Sequence, residues 1–65
     1  MFRIEIDTTY GAFHDPDADS GYDGYVTALE IERITKEIME RLRSGWKEGK
    51  AIDVNGNVVG FYKLD

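Results

Sequence analysis

The sequence predicts an α+β fold of order β-α-β-β, with one helix packed on a three-stranded antiparallel sheet. Three observations carry this expectation. Phe2, Ile4 and Ile6 alternate with Arg3, Glu5 and Asp7, the period of two that marks a strand with one buried face. Ile31, Ile34, Ile38 and Leu42 recur at helical spacing and form one apolar stripe. Asn55-Gly56 stands between two apolar runs, the strongest short-range hairpin signal. A chain of 65 residues forms one small domain, 1–65, burying roughly 60% of the surface its unfolded form exposes. The helix stripe and the apolar face of the first strand then cover each other across the sheet.

The first strand is expected over residues 2–8. A loop follows over 9–26, marked by Gly11, Pro16, Gly21 and Gly24 and by the acidic run Asp15, Asp17, Asp19 and Asp23. A loop this long in so small a domain is usually functional or mobile, and Phe13, Tyr22 and Tyr25 are expected to pin parts of it to the core. The helix is expected over 27–45. Thr27 caps it, Glu30 completes the capping box, and Val26 with Ile31 forms the flanking hydrophobic staple. Ala28, Thr35 and Met39 flank the apolar stripe, while Glu32 with Lys36 and Glu37 with Arg41 stand at ion-pair spacing on the outer face. Arg41 and Arg43 suit the helix C-terminus, and Gly45 ends it in the left-handed conformation, letting Trp46 fold back on the last turn. A hairpin is expected over 50–64. A two-residue Asn-Gly turn pairs Val54 with Asn57. A three-residue loop pairs Val54 with Val58 and aligns Ile52, Val54, Val58, Tyr62 and Leu64 on one face, the register expected because it collects more apolar groups.

Composition narrows the function. The chain has 13 acidic and 8 basic residues, a net charge of −5, which disfavours direct nucleic-acid binding because phosphate backbones attract clustered Lys and Arg. The acid is concentrated between Asp15 and Asp23 and the bases between Lys36 and Lys50, so the acidic end suits a basic surface on a partner protein. Cysteine is absent, which excludes disulfides and thiolate metal sites. No apolar run approaches the roughly 20 residues needed to span a bilayer, and the residues from Met1 to Ile6 lack the form of a signal peptide. The expectation is a cytoplasmic protein with no membrane association. His14, the only histidine, has no cysteine or serine companion at nucleophilic spacing. With no phosphate-cradling glycine motif and no acid/base dyad, an enzyme is not expected and no catalytic residue is assigned.

Two readings compete for the stretch Asp19-Ser-Gly-Tyr-Asp-Gly-Tyr-Val-Thr-Ala-Leu-Glu30. In the frame of an EF-hand loop, Asp19, Asp23 and Glu30 fall on ligand positions, Gly24 on the sharp turn and Val26 on the apolar position. Gly21 removes one ligand, and the preceding segment does not read as an entering helix. Calcium is therefore the alternative, and an acidic loop handing over to a capped helix is the main reading. That loop is also the candidate partner-binding surface: Asp15, Asp17, Asp19 and Asp23 supply charge, and Tyr22, Tyr25 and Trp46 supply aromatic anchors. Each aromatic has core filling as its competing role.

Ala12-Phe13, the run Glu30-Ile-Glu-Arg-Ile34 continuing to Arg41-Leu42 and Gly45, and the terminal Asp53-Val-Asn-Gly-Asn-Val-Val-Gly60 resemble a large group of very short bacteriophage and prophage proteins. These read as a strand, an Ala-Phe loop, a helix ending in Arg-Leu-x-x-Gly, and a D-x-N-G-N-x-V-G hairpin. The resemblance spans nearly the whole chain. It implies a phage or mobile-element origin inside a bacterial host, and such small acidic proteins often bind and block a host or defence protein, as anti-CRISPR proteins and DNA-mimicking inhibitors do. A self-associating phage structural or accessory protein is the remaining alternative.

Overall fold

The computed structural model of the chain describes residues 1–14 and 24–65. Strand β1 (Phe2–Ile6) is followed by a 3-10 turn at Gly11–Phe13, helix α1 (Gly24–Arg43), strand β2 (Glu48–Ile52) and strand β3 (Val58–Leu64). The sheet is antiparallel with spatial order β1-β3-β2, so the α+β expectation stands. β3 is central, pairing Ile4 with Tyr62 on one side and Gly49 with Tyr62 on the other. The candidate calcium ligands Asp19 and Asp23, and the binding candidates Asp15, Asp17 and Tyr22, lie outside the described residues. No helix among the described residues is long and apolar enough to cross a membrane.

β1 stops at Ile6 because the next residue turns the chain. The Asp7 carboxylate accepts the Thr9 N–H at 3.0 Å and the Thr9 hydroxyl at 2.7 Å, closing an Asx turn. Phe13 is the residue that anchors the following segment: it is wholly buried and packs with Ile34, Ile38, Ala51, Val59 and Tyr62. Ile4, Ile6, Ile31 and Leu42 flank this core. Tyr25 does not join it, and Ala28 and Met39, expected beside the stripe, are exposed.

The helix starts earlier than its sequence grammar indicates. α1 begins at Gly24, so Thr27 lies inside it, and the Thr27 hydroxyl donates to the Phe13 carbonyl at 2.6 Å. Glu30 does not complete a capping box. With α1 beginning at Gly24, Thr27 is past the N-terminus that a capping box would close, and the Glu30 carboxylate takes Arg33 and the Val54 N–H instead. The outer-face pairs Glu32–Lys36 and Glu37–Arg41 do not form; among the described residues the helical ion pairs are Arg33–Glu30 and Arg33–Glu37. At the other end the expected glycine termination is present. Gly45 has φ +96°, its N–H donates to the Leu42 carbonyl at 3.1 Å, and the Trp46 N–H donates to the Arg41 carbonyl at 2.9 Å. This is a Schellman motif.

The expected pairing of Val54 with Val58 is not adopted: from Glu48 to Ala51 the strands keep the register that a Val54–Asn57 turn would set, with Ala51 opposite Gly60, and the register shifts next to the turn. Ile52 pairs with Val58, and Asp53 closes the turn by donating its N–H to the Asn57 carbonyl at 2.9 Å. Asp53 Oδ1 accepts the Asn55 N–H at 2.9 Å and the Asn57 N–H at 2.8 Å, while Oδ2 accepts the Asn57 side-chain amide at 3.1 Å. Gly56 completes the turn at φ +84°. Satisfying this buried carboxylate outweighs aligning the valines. Val54, Val58 and Leu64 are therefore exposed, and a bulge opposite Ala51 and Ile52 turns Val59 into the core. Two glycines permit the close packing of the strands. A Cβ on Gly60 would overlap the Glu5 carbonyl of β1, and one on Gly49 would sit 2.9 Å from the Tyr62 ring.

Candidate protein-binding site

α1 lies along the outer side of β2 and is fastened there by side chains one or two turns apart. Glu30 is 7% exposed. Its carboxylate accepts Arg33 Nε at 2.7 Å and the Val54 N–H at 2.9 Å, and Arg33 Nη2 donates to the Ile52 carbonyl at 3.0 Å. One turn on, Arg33 Nη1 reaches Glu37 at 3.0 Å, and Arg41 Nη1 donates to the Lys50 carbonyl at 2.9 Å. The Arg33 hydrogen bond holds the Glu30 carboxyl below its usual range; burial opposes this, and the Val54 N–H adds to the lowering. For Asp53, burial favours the neutral acid, but the backbone and side chain of Asn57, the Asn55 N–H and the nearby Arg33 guanidinium outweigh it and keep the carboxyl low as well. Both groups are ionised and fully engaged by the scaffold. Of the proposed calcium ligands, Glu30 has both oxygens taken by Arg33 and Val54. Among the described residues no cluster of acidic or histidine side chains could hold a metal ion.

The motif residues of the helix and the terminal hairpin thus have structural duties. Asp53 and Gly56 shape the turn, Val59 fills the core, and Gly60 admits β1. Glu30 and Arg33 tie helix to hairpin, and Gly45 ends the helix.

Trp46 is different. It is 67% exposed, yet its backbone is held on both sides: its N–H bonds to Arg41 and its carbonyl accepts the Tyr62 hydroxyl at 3.1 Å. Two open clefts flank the indole. One, of about 320 Å³, is lined by Arg41, Glu48, Gly49 and Tyr62; the other, of about 310 Å³, by Glu37, Glu40, Arg41 and Ser44. Three carboxylates and one guanidinium therefore surround the ring, and that guanidinium donates to Lys50. With Arg43 and Lys47 close by in sequence, the apolar anchor has a mixed-charge rim, which suits a protein surface better than a small anionic molecule.

Tyr25 is 73% exposed on the first turn of α1. Trp46 follows the last turn. At 1.5 Å per residue the helix separates them by about 30 Å, so the structure does not bring the two aromatics into one site. His14 Nε2 lies 2.8 Å from the Thr8 carbonyl, which can only accept, so that nitrogen carries the proton; the ring braces the loop. Sequence reasoning missed Arg33, the hub of the helix-hairpin contact, and the hydroxyl of Tyr62. The spacing Glu30-x-x-Arg33 was the available signal.

Comparison with known proteins finds no family model, no curated protein and no solved structure that matches the chain.

Proposed function

We propose that this chain is a small acidic phage-type protein that acts by binding, inhibiting a host or defence protein in the manner of anti-CRISPR or DNA-mimicking inhibitors, with no catalytic role. The binding reading is carried by Trp46, a large apolar side chain kept in solvent by a backbone fixed at both its N–H and its carbonyl. A backbone held in advance has less freedom to lose on binding, and tryptophan is enriched among the anchors of protein interfaces. The partner class follows from charge: a net charge of −5 and the acidic run from Asp15 to Asp23 favour a protein with a basic surface, met in the cytoplasm of a bacterial host. The phage setting and the inhibitory role rest on the sequence resemblance.

Affinity capture from nuclease-treated bacterial lysate tests this reading, using the tagged chain, Trp46→Ala and the fourfold variant Asp15→Lys, Asp17→Lys, Asp19→Lys, Asp23→Lys in parallel. The expected result is one stoichiometric partner, lost with Trp46→Ala and weakened by charge reversal. Equal capture by all three would contradict it.

A further inference from the structure

The two edges of the sheet are finished differently. On β2, the Leu64 N–H donates to the Lys47 carbonyl. By the alternation of an antiparallel ladder, Gly49 and Ala51 face β3 as well, while Glu48, Lys50 and Ile52 turn their peptide groups outward. α1 covers that edge, with Arg41 on the Lys50 carbonyl, Arg33 on the Ile52 carbonyl and Glu30 on the Val54 N–H. Capping outward peptide groups is how proteins prevent unwanted strand pairing.

β1 has no such cover. The Asp65 N–H donates to the Met1 carbonyl at 3.1 Å and the Asp7 N–H to the Val59 carbonyl at 2.7 Å, so Arg3 and Glu5 face β3 and Phe2, Ile4 and Ile6 turn their peptide groups outward. Among the described residues, no backbone or side-chain group bonds those outward amides and carbonyls. Their side chains, on the helix-facing side, are also incompletely covered: Ile4 and Ile6 are half-buried and Phe2 is exposed, whereas Tyr62, the partner of Ile4, is wholly buried.

We propose that this edge pairs with β1 of a second copy, antiparallel and centred on Ile4, to give a six-stranded sheet across a two-fold axis. Three registers let outward peptide groups face each other. Centring on Arg3 sets Arg3 against its own copy, and centring on Glu5 sets Glu5 against its own copy; both place like charges directly opposite, which is unfavourable. Centring on Ile4 sets Arg3 against Glu5 twice and Phe2 against Ile6 twice. The sequence Phe2-Arg-Ile-Glu-Ile6 is thus self-complementary in one register. That register joins the half-covered isoleucines of both copies into one apolar strip between the two helices, as an isologous interface requires.

Sedimentation equilibrium over a concentration series, paired with amide hydrogen exchange, tests this. The expected result is a dimer in which the Ile4 and Ile6 amides become protected as the dimer forms. Arg3→Glu and Glu5→Arg each set like charges at both symmetric positions and weaken dimerisation on the order of tenfold or more; the double swap restores it. Arg3 lies across from Lys63 within the monomer, so Arg3→Glu does not burden the monomer fold, and circular dichroism of each variant checks this. A chain that stays monomeric at millimolar concentration overturns the proposal. So does a dimer indifferent to the single reversals, or one whose Ile4 and Ile6 amides exchange as freely as in the monomer.

Discussion

The Tyr62 hydroxyl donates to the Trp46 carbonyl at 3.1 Å, so the largest fully buried side chain of the core supports the backbone of the chain's one tryptophan. Core and candidate binding surface are mechanically joined at this contact. The Tyr62 ring reaches Trp46 by lying across Gly49, where a Cβ would meet it.

Tyr62→Phe removes one hydrogen bond and leaves the ring in place. The expected cost is about 0.5–1.5 kcal/mol, read as a lower urea midpoint with unchanged slope. Affinity for the partner should fall too, because Trp46 loses its brace; unaltered affinity would show that the brace is irrelevant to binding.

Gly60→Ala sets a methyl group against the Glu5 carbonyl, which is backbone and cannot turn aside. Overpacking of this kind costs about 1–3 kcal/mol, and here the upper end is expected because β1 must shift. Thermal unfolding measures it, and a melting temperature equal to that of the parent would refute the close approach of β1 to β3.

Glu30→Ala leaves Arg33 Nε and the Val54 N–H without their acceptor, although Arg33 keeps Glu37 and the Ile52 carbonyl, with an expected loss of about 1–3 kcal/mol. Glu30→Gln keeps an acceptor and loses less. If the two variants unfold at the same denaturant concentration, a neutral acceptor at this position recovers none of the stabilisation that the carboxylate supplies.

Gly45→Ala forces a Cβ into a backbone at φ +96°, costing roughly 1–2 kcal/mol. Because the Schellman bonds also place Trp46, capture of the partner should weaken in parallel with stability, which denaturation and affinity measurements on the same sample will compare.

Acid should destabilise the fold. The carboxyls of Asp7, Glu30 and Asp53 are all held below their ordinary values of 3.8, 4.5 and 3.8; for Asp7 the cause is the Thr9 hydroxyl, then its N–H. A lowered folded pKa contributes stability that is complete above the unfolded value and is lost as pH falls through the folded one. Urea midpoints should therefore change little on this account between about pH 7 and pH 6 and drop toward pH 3. Glu30→Gln should flatten part of that drop, and a midpoint that holds steady into acid would count against these three contacts.

The elements most legible in the sequence were those written as periodicity. The alternation of Phe2, Ile4 and Ile6 and the spacing of Ile34 and Ile38 each report one face turned toward the core, complete for the helix and only partly covered for β1. The start of α1 was less legible, because the Thr27 to Glu30 pattern has the form of a capping box while both residues serve tertiary partners, the Phe13 carbonyl and the Val54 N–H. The hairpin register failed for a related reason. Apolar alignment favoured Val54 opposite Val58, but the five hydrogen bonds that join the Asp53 backbone and carboxylate to Asn55, Gly56 and Asn57 decide the turn. For the candidate site, aromatic identity singled out Trp46 and Tyr25, but a tryptophan that fills a core and one held in solvent look alike in sequence. Only the fold separates Trp46 from Tyr25 by the length of the helix.

Trp46 is the only tryptophan, so its fluorescence reads the binding claim directly. In the free chain the emission should be that of a solvated indole, readily quenched by acrylamide. Titration with the captured partner should move the emission to shorter wavelength and protect it from quenching, saturating at the stoichiometry of capture. A complex that forms while Trp46 stays as red-shifted and as quenchable as in the free chain would contradict its role as the binding anchor.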